Sequence, residues 1–196
     1  MTSANTSFPT RLTKIDPLTR VDHSHLVDSD ECYFLGEYTA RAGFAHSATN
    51  NLIMNFKKPM DKRGTSQWPH KAAKISLAAQ ALHSALCGSD LTQITFVPVP
   101  PSKSKSDPMY DDRMMQMLRI LSDSIKRSNG YSLDIRETVI QDQSFSAAHD
   151  GPRPTPLELM SRYSIDKNLL TPTRPILIIC DDVLTTCRVP AGYAVI

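Results

Sequence analysis

Ile176-Leu177-Ile178-Ile179-Cys180-Asp181-Asp182-Val183-Leu184-Thr185-Thr186 is the stretch on which the reading of this chain turns. An unbroken aliphatic run without polar alternation reads as a strand buried on both faces of a parallel sheet. That strand ends in two adjacent carboxylates and then two hydroxyls, which puts a polar cluster at the carboxyl edge of the sheet, where open α/β folds bind ligands. Adjacent aspartates on extended backbone point in different directions. They suit two neighbouring sugar hydroxyls better than a shared-proton dyad, while the threonine hydroxyls and the amides after them suit a phosphate. The plainer reading is a core strand that ends in acids, with the threonines capping whatever follows.

Upstream, Thr92 to Val99 is β-branched and stops at Pro100-Pro101, hence a strand feeding a stiff loop that carries Ser102, Lys103, Ser104 and Lys105. Asp107-Pro108 reads as the cap and first turn of a helix over about 109–127, with Met114, Met117, Leu118, Leu121 and Ile125 on one face. A second strand is expected over about 133–140, then a polar loop over 141–154. The Thr155-x-x-Glu158 capping box should open a short helix to about Tyr163. Strand, helix, strand, helix, strand predicts an α/β fold, a parallel sheet with flanking helices.

Nearer the N-terminus, residues 1–30 show no period of 2 or 3.6 and are expected to form a flexible arm. Cys32 to Tyr38 has strand composition. Thr49 to Lys58 reads as helical with Leu52, Ile53 and Phe56 inward. Pro69 suits the start of a helix to about Cys87, in which Ala72, Ile75, Ala79, Leu82 and Leu86 form a stripe and Gly88 a left-handed cap.

The string from Ile176 to Thr186 resembles the phosphoribosyl pyrophosphate (PRPP) motif of the type I phosphoribosyltransferases. Phe96-Val97-Pro98-Val99-Pro100-Pro101-Ser102-Lys103 resembles the first core strand and pyrophosphate loop of their ComF-like branch. The resemblance implies a Rossmann-like core in which Asp181 and Asp182 hold the ribose 2′ and 3′ hydroxyls. Thr185 and Thr186, with the amides of Leu184 and Cys187, would hold the 5′-phosphate, and Ser102 and Lys103 the pyrophosphate. Mg²⁺ would come with the substrate's own oxygens. The implied reaction displaces pyrophosphate at ribose C1 by a nitrogenous base. It also implies a hood-like segment over 31–70 and a core over 71–196.

Two departures accompany the resemblance. Cys187 stands where the family has Gly, and a Cβ there costs on the order of 1 kcal/mol if φ must be positive. Arg188 to Tyr193 is also too short and Pro-interrupted for the helix and further strands the family places there. The expectation is therefore a core with its C-terminal part missing, from a shortened reading frame, or a homodimer or partner chain that completes the sheet. The alternative function is a catalytically inactive sensor of PRPP or a nucleotide.

Other classes fare worse. A formal charge of +2, from 22 Lys+Arg against 20 Asp+Glu, offers no excess for phosphate neutralisation and argues against nucleic-acid binding. No apolar run reaches the roughly 20 residues of a bilayer span, and Cys32, Cys87, Cys180 and Cys187 fall at no metal-ligand spacing, so reduced thiols of a cytoplasmic protein are expected. His23 and His25 lack ligating partners at suitable spacing and are expected to be solvated, as are His149 and Arg153 in their loop. Arg113 should pair with Asp111 or Asp112 at the surface, and Met109, Met114, Met115 and Met117 should pack. A phosphatase of the Asp-x-Asp kind is excluded by Val183, and Rossmann and P-loop glycine patterns are absent.

Overall fold

The computed structural model describes residues 7–21, 23, 26, 29–142, 144, 158, 161–172, 174–185 and 191–194, of which 185 and 191–194 are described as strand backbone. It is mixed α/β and falls into two compact units, residues 1–58 with 65–89 and 181–196, and residues 59–64 with 90–180.

In the first unit, β1 (Thr13–Lys14) pairs antiparallel with β2 (Tyr33–Phe34), with a short helix α1 (Pro17–Arg20) between them. Ile15 and Phe34 are buried together, flanked by Leu26, Cys32 and Leu184. His23, expected in solvent, is buried as well. The strand β3 (Gly36–Thr39) packs on α2 (Ala48–Phe56) so closely that a Cβ at Gly36 would meet Thr49 Oγ1 at 2.5 Å. Ser47 caps α2 by accepting from Asn50 N–H at 3.0 Å, and Leu52, Ile53 and Phe56 turn inward as their spacing predicts.

Asn50 is fully buried and spends its amide on the loop before the helix. It accepts from Thr39 N–H at 3.0 Å and donates to the carbonyls of Thr39 at 2.8 Å and Gly43 at 3.1 Å. Helix α3 (Trp68–Ala85) packs on α2 and buries Ile75, Ala78, Ala79 and Leu82, and Gly88 follows with φ at +86°. Ala72, expected inward, is exposed. Its place is taken by Lys71, whose Nζ donates to the carbonyls of Phe56 and Lys58, each at 2.9 Å.

The second unit holds a parallel sheet in the order β5-β4-β8, made of β4 (Ile94–Pro98), β5 (Asp134–Ile135) and β8 (Ile176–Cys180). Strand β4 is buried throughout, and α4 (Arg113–Asn129) buries Met114, Met117, Leu118, Leu121 and Ile125 before ending at Gly130 with φ +82°. This helix begins four residues later than Asp107-Pro108 suggests. Asp107 closes a local turn instead, accepting from Met109 N–H at 2.8 Å, and Asp112 takes the cap position.

The strand expected over 133–140 divides. After β5 the chain forms β6 (Val139–Gln141), antiparallel to β7 (Tyr163–Ile165), so Tyr163 opens a strand rather than closing a helix. The capping box Thr155 to Leu157, His149, Arg153 and His25 lie outside the described residues. The largest departure concerns β8. It is an edge strand of its sheet, and Ile176, Leu177 and Ile179 are 50%, 54% and 62% exposed, where burial on both faces is expected. Among the described residues no helix is long and apolar enough to cross a membrane.

Candidate functional site

The chain leaves β4 for α4 and β5 on one side, and the next strand of the sheet, β8, lies on the other side of β4. The carboxyl ends of β4 and β8 therefore flank a topological switch point, the place where open α/β sheets receive ligands. The pair is in full parallel register from Ile94↔Ile176 to Pro98↔Cys180. It is extended by one more bond, Val99 N–H donating to the Cys180 carbonyl at 2.8 Å. The Pro loop thus departs beside the residue that precedes Asp181.

Within the second unit the loop is held by its own side chains. Lys105 Nζ donates to Glu137 Oε2 at 2.9 Å, and Tyr110 OH donates to Glu137 Oε1 at 3.4 Å. Burial, with help from the Glu137 charge, pushes the Tyr110 phenol up to about 12. Ser104, buried, donates its N–H to Ser144 Oγ at 3.0 Å. Asp107 sits below the ordinary carboxylate range because the Ser144 hydroxyl and the Met109 amide donate to it. Arg113 Nη1 meets Asp111 Oδ2 at 2.9 Å, mostly buried rather than at the surface. Lys105 is consequently committed to Glu137, whereas among the described residues Lys103 Nζ is paired with Asp107, at 3.9 Å. Ser102 is exposed. Of the loop's two lysines, Lys103 is the one whose charge a ligand could take.

In the first unit the aspartates behave unequally. Asp181 is half-buried, and its Oδ1 accepts from Asp182 N–H at 2.7 Å. Asp182 is buried, and its Oδ1 accepts from Lys57 Nζ at 2.8 Å. An open pair of carboxylates is expected from the sequence; one of the two instead carries an internal ion pair. Lys57 terminates α2, where the helix dipole favours a cation. No pattern in the sequence links it to Asp182, which lies 125 residues away.

The segment after the aspartates also differs from expectation. Leu184 and Thr185 form β9, which pairs antiparallel with β10 (Ala191–Ala194) through Thr185↔Gly192 and Leu184↔Tyr193, and β10 in turn pairs with β3. Strand backbone therefore stands at Leu184–Thr185 where a tight phosphate loop opening a helix is expected, and the Leu184 side chain packs beside Ile15 and Phe34. Thr186 and Cys187 lie outside the described residues. Among the described residues Cys32, Cys87 and Cys180 form no disulfide with one another, and no group of three or more His, Cys, Asp or Glu could hold a metal ion. No protein-family model, curated protein or solved structure matches the chain.

Proposed function

We propose that this protein binds PRPP together with the Mg²⁺ the substrate carries, and transfers the phosphoribosyl group to a nitrogenous base with release of pyrophosphate. The observation that supports the reading is the parallel register of β4 and β8, closed by Val99 N–H on the Cys180 carbonyl. The loop bearing Ser102 and Lys103 then leaves β4 beside Cys180, the last residue of β8, at a switch point of the kind where open α/β sheets receive ligands.

On this reading Asp181 and Asp182 accept from the ribose hydroxyls, and Lys57 yields Asp182 to the sugar. The backbone from Leu184 to Cys187, with Thr185 and Thr186, receives the 5′-phosphate. Ser102 and Lys103 receive pyrophosphate. The bond between ribose C1 and the pyrophosphate oxygen breaks with its electron pair on that oxygen, a C1–N bond forms, and the base nitrogen gives up its proton. The chain's own contribution is to hold the reactants in line and to place charge where it develops.

A second reading, a catalytically silent sensor of PRPP or a nucleotide with the same fold, is favoured by the Lys57–Asp182 ion pair, which neutralises one of the two acids. Thermal unfolding with and without PRPP and Mg²⁺, in the native chain and in Asp181→Asn, tests both readings. Stabilisation lost in Asp181→Asn supports binding at the motif, and pyrophosphate release with any of a panel of bases then marks an enzyme. Stabilisation without release marks the sensor. Absence of stabilisation in the native chain defeats both.

A further inference from the structure

We infer that the amino edge of the parallel sheet carries a second, independent site, an oxyanion-binding cavity built on Arg174 that takes a small phosphate or carboxylate group. The cavity, about 560 Å³, is lined by Ser132, Leu133, Asp134, Arg136, Pro172 and Arg174. Its volume lies within the range of small-ligand sites. It lies at the beginnings of β4, β5 and β8, where Thr95 is in register with Asp134, and hence at the opposite strand ends from the Pro loop.

The charges in this cavity do not cancel. Arg136 serves as a strut, with every guanidinium nitrogen hydrogen-bonded. Its Nε and Nη2 grip Asp134 Oδ1 and Oδ2, each at 2.9 Å, and Nη1 donates to the Leu169 carbonyl at 3.0 Å. Asp134 Oδ2 also accepts from the Thr95 hydroxyl at 2.8 Å. These donors hold the Asp134 carboxyl below its usual range, Arg136 foremost. One carboxylate therefore already serves one guanidinium and one hydroxyl.

Arg174 is the remaining cation. Its Nε stands 3.8 Å from Asp134 Oδ2, beyond hydrogen-bond distance, and among the described residues its guanidinium makes no hydrogen bond. Its backbone is nevertheless held, because Arg174 N–H donates at 3.3 Å to the Thr95 hydroxyl, which itself donates to Asp134. A guanidinium on an anchored backbone, half-exposed at 49% and facing a cavity with one positive charge in excess, offers the planar fork that matches two oxygens of a phosphate or carboxylate. Ser132 adds a hydroxyl to the lining.

The test is a ¹⁵N NMR titration of the full chain, following the backbone amide signals of Ser132, Leu133 and Asp134, which line the cavity, and, where Arg174 is present, its side-chain Nε signal as well. Inorganic phosphate and acetate are the probes, each against chloride at matched ionic strength. The inference expects saturable shifts of Arg174 with at least one anion. Arg174→Ala should weaken that binding by about tenfold or more, while Asp181→Asn leaves it unchanged. Arg174→Lys, which keeps the charge and loses the fork, should also weaken it. Preference for phosphate or for acetate identifies the group the natural ligand bears. Absence of a saturable shift with either anion, binding unaltered in Arg174→Ala or Arg174→Lys, or binding lost in Asp181→Asn would each overturn the inference.

Discussion

Lys57 Nζ lies 2.8 Å from Asp182 Oδ1, with the Asp182 side chain 5% exposed and the Lys57 side chain 44%. The pair ties the end of α2 to the segment that follows β8, and it decides how the aspartate motif behaves before any ligand arrives. A buried carboxylate needs a partner, and removing that partner leaves desolvation uncompensated.

Lys57→Met is therefore expected to destabilise the chain by about 1–3 kcal/mol, below the full cost for a wholly buried pair because the Lys57 side chain is partly exposed. Asp182→Asn should cost less, since no charge is then stranded, and the double variant should recover part of the loss. Urea unfolding of all four forms measures the coupling, and additive losses would show the pair to be idle. On the PRPP reading, the magnesium complex of PRPP should stabilise Lys57→Met more than the native chain, because the sugar no longer competes with the ammonium for Asp182.

Lys71 is almost completely buried, and its ammonium holds the carbonyls of Phe56 and Lys58 at the end of α2. Lys71→Met keeps the aliphatic stem and strands those carbonyls. The expected loss is about 1–3 kcal/mol, or several degrees in Tm for a chain of this size. An unchanged melting temperature would mean that water replaces the ammonium without penalty.

Ile179 is 62% exposed on the edge strand β8. Ile179→Lys is expected to leave stability within about 0.5 kcal/mol and to reduce concentration-dependent association, since a charge on an exposed edge discourages strand pairing. Unfolding measurements and light scattering check the two halves of this prediction. A collapse of stability would place Ile179 in a covered environment.

Tyr110 donates to Glu137, and its phenol is pushed up to about 12 by burial and by that carboxylate. A folded-state value above the unfolded one stabilises the fold fully below the unfolded value and progressively less as pH rises toward the folded value. Stability should thus fall between about 10 and 12, and Tyr110→Phe should flatten that fall. Phenolate absorbance should show the late-titrating tyrosine in the native chain and not in Tyr110→Phe.

Much of the local structure was legible in the order of residues. Leu52, Ile53 and Phe56 mark the inward face of α2, the Met114 to Ile125 stripe specifies the buried face of α4, and Gly88 marks the end of the α3 region. These are decided within a few turns by capping, periodicity and the freedom of glycine to take positive φ. Alternation of strand and helix likewise implies the parallel sheet that β4, β5 and β8 form.

Other features depended on neighbours that no local pattern names. Ile176 to Ile179 carry the most apolar strand composition of the chain, yet composition cannot say which strand stands at a sheet edge. Lys71 occupies a position that the stripe assigns to Ala72, because two carbonyls at the end of another helix reward an ammonium there. Asp182 meets Lys57 across 125 residues. Chain order by itself determined the elements, since their hydrogen bonds and side-chain stripes close within a few residues. Only the tertiary structure decided which charges are spent inside the protein and which are left for a ligand, because desolvation and Coulomb energy depend on distance through space rather than along the chain.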